Sequence, residues 1–521
     1  MFSPSSILCL MSYSLTLSDV QRVYALLKQK AVALCSSHRF DESWIVMTQA
    51  VSVIQEFNWE YSDADLEELL SKLSVAWIPN TPVNYAPLGN RVAVLDDWCT
   101  SYVLVLQYID ALVAANKEVL YITSRNPDRI SRGSIFSRLE QYPSIKAIFF
   151  GSESQDVGAW CQDVFKSILD FRPEKVVAHI GSCSRFLCVL SRLPKKIVSY
   201  RSNLDDQCFW LGKSAIDFCL EFRPFGVSVS RERRGIPKDK QLYVPFYPIQ
   251  DGNPFLGFPD LPNGTVKLFS GGDFYKTIDP ELTYWNLVKL ILQENPKAVL
   301  LFGTKNVLGK TKSFLESFVK ENHFENRFYY IGFRPDINEV FSHCDIFLGT
   351  CPVCGSLSSQ LACVNHKPIL QYYLPGTDDD ETEQAVCYNA PGLQISFTDK
   401  DAFLAEAKHL IDDESYRLTK GEEMFLAMET KEQFNSSFIN AIYSNYAPCP
   451  TKKVNYDEVL RRWWWPEQTG FEDHLSYLPS LLKRFGLLHR FPALWFKYNW
   501  RRFFTQKLLS PSWYKRKIKI G

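Results

Sequence analysis

No apolar run in the chain reaches the roughly 18 residues that a membrane-spanning helix needs, so no spanning segment is expected. The opening stretch, residues 1–17, is mildly apolar but lacks a basic leader and a cleavage site, so a secretory signal is not expected either. An excess of one charge is missing: Lys+Arg and Asp+Glu both number 58, which argues against a surface that binds nucleic acid as a whole. The 14 cysteines form no dense framework in a short domain, and most sit among apolar neighbours, as in Ile216-Asp217-Phe218-Cys219-Leu220. They read as reduced thiols of a cytoplasmic chain. No short-period repeat is present. What remains is 521 residues of ordinary globular composition, 46% hydrophobic and 22% charged, with unusually dense aromatics at 14%. That length suggests two to four domains.

Residues 18–76 carry helical periodicity: Val20, Val23, Tyr24 and Leu27, then Trp44, Met47, Ala50, Val51 and Ile54, then Leu66, Leu69, Leu70 and Leu73 after the capping cluster Ser62-Asp63-Ala64-Asp65. They read as a helical cap over 1–85. Short apolar runs then alternate with helical stretches: strands at 91–95, 118–123, 145–150, 175–180 and 196–200. The stretch 245–264, with Pro245, Pro248, Pro254, Pro259 and Pro262, breaks the rhythm as a linker. The alternation restarts with strands at 266–269, 298–302, 328–331, 345–348 and 368–372. Alternating apolar strands and helices predict α/β architecture: two doubly wound parallel sheets, over 86–250 and 251–450, with a cleft between them.

Two loops carry candidate chemistry. In Phe269-Ser270-Gly271-Gly272-Asp273-Phe274-Tyr275-Lys276-Thr277 a strand runs into two glycines and a lysine. Gly271 and Gly272 allow close backbone approach to a phosphate, and Lys276 favours its charge. In Gly349-Thr350-Cys351-Pro352-Val353-Cys354-Gly355-Ser356-Leu357-Ser358-Ser359 a strand again leads to a helix start, with Gly355, Ser356, Ser358 and Ser359 as phosphate ligands. The lone Cys351-x-x-Cys354 pair lacks the further ligands of a zinc site and reads as packing thiols, so no metal is assigned. Gly303 to Thr311 ends in Gly-Lys-Thr, but five residues separate its glycines where a P-loop has four.

The segment Asp273-Phe274-Tyr275-Lys276-Thr277-Ile278-Asp279-Pro280, continued by Trp285 and Asn295-Pro296, resembles the donor-binding segment of the O-GlcNAc transferase family. Phe209-Trp210-Leu211-Gly212 and Val244-Pro245-Phe246-Tyr247-Pro248 resemble bacterial capsule and surface-polysaccharide glycosyltransferases. The similarity spans roughly 86–445. It implies the GT-B fold, two Rossmann-like domains facing a cleft. It further implies transfer of a sugar from a nucleotide sugar, a UDP-sugar, to a glycan or lipid-linked glycan, with no metal and no other cofactor. On this resemblance Lys276 neutralises the diphosphate, the serines hold it, and Asp380 and Glu383 are donor-loop contacts. Gln360 stands where many retaining relatives carry glutamate, which favours inversion. The His that O-GlcNAc transferases carry after the first strand is absent from Asp96-Asp97-Trp98-Cys99-Thr100-Ser101. Inversion needs a base, and the candidates are Asp97, His179, Asp205 and Asp206. Alternative readings are a protein glycosyltransferase, a UDP-sugar 2-epimerase and a non-catalytic partner subunit.

Residues 481–521 contain eleven basic side chains, ten aromatics and no Asp or Glu, which leaves 47 basic against 58 acidic residues before them. Trp463-Trp464-Trp465 lies just upstream. Aromatic and basic residues interleaved in this way predict contact with an anionic membrane surface, at the inner face of the plasma membrane. The competing expectation is a C-terminal helix packed on the protein itself. A nucleic-acid tail fits poorly with the acidic remainder.

Overall fold

The computed structural model describes residues 15–97, 102–124, 135, 139–151, 156–250, 252–305, 307–377, 379–471 and 474–495. They fall into two compact units, 15–57 with 474–495, and 58–471.

The smaller unit is helical. In α1 (Leu17–Ser36) the Thr16 hydroxyl accepts the Asp19 amide and the Asp19 carboxylate accepts the Thr16 amide, a reciprocal cap. Its buried Val20, Val23, Leu27 and Ala31 lie on one stripe, and α2 (Phe40–Phe57) buries Trp44, Met47, Ala50, Val51 and Ile54. The chain returns to this unit at 474–495. There Leu478, Leu481, Leu482, Leu488, Phe491 and Leu494 are buried. Arg22 Nη2 donates to the Arg490 carbonyl at 3.2 Å, with its guanidinium 4.9 Å from the Phe491 ring centre. The expected membrane tail thus begins inside a protein core. Its apolar side chains up to residue 494 are spent on packing, and residues 496–521 lie outside the described residues.

The larger unit opens with α3 (Ala64–Trp77), capped where expected: the Asp63 carboxylate accepts the Leu66 amide at 3.0 Å. This helix, expected in a cap over 1–85, belongs instead with the sheets. There follow β1 (Arg91–Asp96), α4 (Tyr102–Ala114), β2 (Glu118–Thr123), β3 (Ile145–Phe149), α5 (Val157–Phe171), β4 (Lys175–His179), α6 (Phe186–Leu190), β5 (Val198–Ser202), β6 (Phe218–Glu221), α7 (Pro224–Glu232) and β7 (Gln241–Tyr243). Their strands pair in parallel in the order β3-β2-β1-β4-β5-β6-β7. After the proline-rich linker come β8 (Val266–Gly271), α8 (Thr283–Glu294), β9 (Ala298–Gly303), α9 (Gly309–Glu321), β10 (Phe328–Tyr330), α10 (Ile337–His343), β11 (Ile346–Leu348), α11 (Ser356–Val364), β12 (Ile369–Tyr372), α12 (Glu381–Val386) and β13 (Ser396–Phe397). These strands are also parallel, in the order β10-β9-β8-β11-β12-β13. Two doubly wound Rossmann-like sheets in one unit are the GT-B arrangement.

Four helices close the unit: α13 (Lys400–Asp412), α14 (Glu414–Ala427), α15 (Lys431–Ser444) and α16 (Tyr456–Thr469). The expected boundary at 450 does not hold for α15. Its stripe of Phe434, Phe438, Ala441 and Ile442 is buried in the first sheet's core, with the Phe438 ring 5.0 Å from that of Tyr108 on α4. Period-3.6 apolar spacing drives a helix to whichever sheet face is open, regardless of its place in the chain.

Strand order fixes where a ligand can sit. In each sheet the order reverses between two neighbours, β1 and β4 in the first, β8 and β11 in the second. Loops leaving the carboxyl ends of such neighbours diverge and leave a crevice.

Candidate functional site

The loops after β8 and β11 are the two singled out from sequence, and the topology brings them side by side. Gly271 must be glycine for a packing reason: a Cβ there would lie 2.5 Å from the Gly303 carbonyl oxygen at the end of β9. Gly272 has φ +139°, a conformation open to glycine, and its N–H donates to the Gly303 carbonyl at 3.0 Å. That amide is therefore committed, and Gly272 acts by shape. The turn lays the Lys276 stem against Gly272, its Cδ 3.4 Å from where a Cβ would be. The Lys276 ammonium lies 4.0 Å from the corresponding position on Gly355, directly before α11.

At the start of α11, Gly355 is the N-cap residue and no side chain caps the first turn. The first-turn amides of a helix have no partner within it, and the positive end of its dipole lies here. Ser356 and Ser358 line the cavity there. Ser359 does not: it is fully buried, and its hydroxyl donates back to the Gly355 carbonyl at 3.1 Å. A hydroxyl four residues into a helix commonly bonds its own helix in this way.

Two cavities meet at this point. One, of about 530 Å³, lies along the second sheet and is lined by Gly271, Gly272, Lys276, Thr304, Arg334, Gly355, Ser356 and Ser358 among others. The other, of about 250 Å³, is walled by both sheets' loops: Asp205, Gln207, Phe222, Arg223 and Phe246 from the first, and Tyr275, Lys276, Cys354, Ser356, Leu357 and Glu381 from the second. Arg462 and Trp463 of α16 close it, with the Trp463 ring stacked on Tyr275 at 5.6 Å. Lys276, Ser356 and Leu357 line both.

The cations around these cavities differ in their pairing. Arg334 makes a two-pronged ion pair with Asp336, Lys305 pairs with Asp273 at 3.3 Å, and Arg462 pairs with Asp379 and Glu458. Arg223 is held from both sides: Nε and Nη2 bind Asp206 at 2.6 and 2.7 Å, and Nη1 binds Glu381 at 2.7 Å and the Ser356 hydroxyl at 3.2 Å. Among the described residues, no carboxylate forms an ion pair with Lys276.

The four candidate bases separate clearly. Asp205 lines the second cavity and accepts the Ser182 hydroxyl at 3.0 Å. Burial pushes its carboxyl above the usual aspartate range, against the opposing pull of that hydrogen bond and of Arg201 and Arg234. Asp206, its neighbour, is fully buried and devoted to Arg223. His179 is fully buried beneath the sheet edge, with Nδ1 2.8 Å from Asp96 Oδ1, and Asp96 also accepts the Tyr121 hydroxyl at 2.6 Å. Asp97 accepts the Gly181 amide at 2.7 Å, joining the loops after β1 and β4. Neither His179 nor Asp97 lines the two cavities. Trp98 to Ser101 lie outside the described residues.

The donor-loop contacts expected from sequence also move. Glu383 accepts the amide and hydroxyl of Ser396 at 2.9 and 2.5 Å, so it secures β13. Asp380 pairs with Lys452. Of the acidic residues on this loop, Glu381 lines the cavity. Gln360 is nearly buried, and its Nε2 donates to the Phe246 and Ala385 carbonyls at 3.0 and 2.9 Å, tying the linker to α12. Burial raises the Cys351 and Cys354 thiols well above their ordinary value, as suits packing residues. Lys310, in the stretch that mimics a P-loop, packs over Phe471 at 4.7 Å. Among the described residues no group of three His, Cys, Asp or Glu side chains could hold a metal ion. No helix of the described residues is long and apolar enough to cross a membrane.

No protein-family profile matches the chain. No curated protein matches it either. Solved structures with a similar fold include a Thermobaculum terrenum O-GlcNAc transferase mutant, at 15% identity over 86% of this chain and 85% of that one, TM-score 0.48. Another is Anabaena HepE in complex with UDP and glucose, at 12% identity over 68% of this chain and 99% of that one, TM-score 0.49. A third is a glycosyltransferase from Rickettsia africae, at 11% identity over 76% and 99%, TM-score 0.45. The fold stands on the strand order and parallel pairing given above.

Proposed function

We propose that the protein is a glycosyltransferase that moves a sugar from a nucleoside diphosphate sugar, a UDP-sugar, to a hydroxyl of a glycan or lipid-linked glycan. The observation that carries this reading is the Lys276 ammonium, which has no ion-pair partner among the described residues and stands between Gly272 and Gly355, beside a helix start without a side-chain cap and at the junction of two cavities. An uncompensated cation and free helix amides together suit a diphosphate. A cavity of about 530 Å³ is large enough for a nucleotide. The smaller cavity then holds the transferred sugar and the acceptor.

The chemistry follows from these positions. Asp205 takes the proton of the acceptor hydroxyl. The hydroxyl oxygen attacks the anomeric carbon as that carbon's bond to the diphosphate oxygen breaks. The electron pair leaves with the diphosphate, where Lys276 and the α11 amides stabilise it. A base on the wall opposite the leaving group gives inversion, without metal. Gln360, a bonded amide, offers no carboxylate for a retaining route.

The acceptor class, surface-polysaccharide synthesis in a bacterium, rests on the sequence resemblance. Membrane contact rests on the basic and aromatic residues 496–521 and the exposed Trp495, since Leu478, Leu481, Leu482, Leu488, Phe491 and Leu494 before them are buried. The test is incubation of the protein with UDP-sugars and a glycan acceptor library, following UDP and sugar products together. Coupled release of UDP and an extended glycan is expected. Sugar isomerisation without transfer would mark a 2-epimerase, and binding without turnover a non-catalytic subunit; either result rejects the proposal.

A further inference from the structure

The arrangement around Arg223 goes beyond this reading while resting on it. Arg223 belongs to the first sheet's side of the cleft, and Glu381 and Ser356 to the second. One edge of the guanidinium is fixed by Asp206, which is fully buried, through two hydrogen bonds of 2.6 and 2.7 Å. That edge needs nothing else to stay charged and in place. The other edge points across the cleft to Glu381 and to the Ser356 hydroxyl. Ser356 opens α11 and lines both cavities with Lys276. The Glu381 carboxylate, which also accepts the Cys354 thiol at 3.6 Å, thus lies between Arg223 and the loop that leads into α11. Burial would raise its carboxyl, but the Arg223 charge prevails and holds it below the usual glutamate range, so it sits there as an anion.

We infer that Glu381 is a displaceable internal counter-ion. In the empty cleft it occupies the place of the leaving group's terminal phosphate, and when the donor enters that phosphate displaces it. Arg223 is then a second ligand of the leaving group, supplied by the opposite domain. The exchange couples donor binding to the cleft: the Arg223–Glu381 tie across the two domains is replaced by Arg223–phosphate. The arrangement also accounts for the doubled carboxylates on Arg223. Asp206 positions it permanently, and Glu381 satisfies it only until substrate arrives.

The test compares UDP with UMP, which keeps base, ribose and one phosphate but lacks the terminal one. Their dissociation constants are measured by calorimetry on the full chain, wild type and Glu381→Gln. Removing a competing carboxylate at hydrogen-bond range should tighten UDP roughly tenfold and UMP far less. Arg223→Lys, which keeps the charge but loses the two-pronged geometry, should weaken UDP and leave UMP near wild type, with its melting temperature confirming that it folds. Equal effects of Glu381→Gln on UDP and UMP, or none on either, overturn the inference while the proposed function stands. A wild-type protein that binds neither UDP nor UDP-sugars overturns both.

Discussion

The two sheets present the same topology and opposite chemistry at their carboxyl edges. Along the first, polar groups are consumed by one another: Asp96 with His179 and Tyr121, Asp97 with the Gly181 amide, Asp206 with Arg223. Arg201 is fully buried and donates to the Leu211 and Gly181 carbonyls. Along the second, Lys276 has no anionic partner among the described residues, and the start of α11 is uncapped. The first edge is a wall braced mostly by its own pairs, with His179 Nε2 and Arg201 Nε left without a partner among the described residues; the second carries the Lys276 charge. Binding energy is largest where folding has left groups unsatisfied, because groups already paired must give up one partner to gain another, as Arg223 would in exchanging Glu381 for a phosphate.

Asp205 is the exception on the braced wall, and the sharpest test of the comparison. Asp205→Asn should lower transfer by roughly 10³-fold and leave UDP affinity near wild type, read by kinetics beside calorimetry. Its acidic limb should follow, since the base works only when deprotonated. With the carboxyl raised by burial, kcat/KM should climb with pH through a midpoint above the usual aspartate range and then level off. A flat acidic limb would remove Asp205 from the mechanism.

Next in size is a stability effect where the chain returns from the second sheet to the first. Glu429, between α14 and α15, is buried, and its carboxyl is pushed up to about 7 from 4.5 by burial, against a weak hydrogen bond from Ser437. Tyr243 of β7 and Tyr388 feel its charge, and the Lys431 ammonium nearby is committed to Asp110. Between those pH values the folded chain holds a proton that the unfolded chain releases. Stability should therefore fall as pH rises through that window, by on the order of 3 kcal/mol, and stay level above it. Glu429→Gln should flatten the profile in chemical denaturation measured from pH 5 to 8.

Smaller again, Lys276→Ala should lower turnover by roughly 10²-fold, the scale of losing one preorganised charge at a leaving group, and barely shift the melting temperature. Gly271→Ala should do the reverse. The added methyl meets the Gly303 carbonyl at 2.5 Å, so the cost is about 1–2 kcal/mol of stability, visible as a lower melting temperature. If the alanine at 271 is neutral, the close packing of β8 and β9 at this edge is not needed.

The sheets were legible because buried parallel strands read as unbroken apolar runs, as in Arg91–Asp96 and Ala298–Gly303. β6 and β7 were not read, being four and three residues long, with an intervening α7 of only nine residues to mark the alternation. Both cavity-lining loops were legible from glycine and hydroxyl residues between a strand and a helix. The choice between Asp205 and Asp206 was not, because adjacent side chains point different ways and only the fold says which meets the cavity. Arg223 and Glu381 stand 158 residues apart, and neither carries a local signal. Ser359 could have been set aside from sequence, since a serine four residues after a helix start bonds back to its own backbone.

The proposed donor site turns on the Lys276 charge meeting a diphosphate. Calorimetric titration of UDP into wild type and Lys276→Ala tests it most directly. Saturable binding to wild type is expected, with a loss of about 30-fold or more in the variant, the scale of one charge-assisted contact. Equal affinity in the two proteins would contradict it.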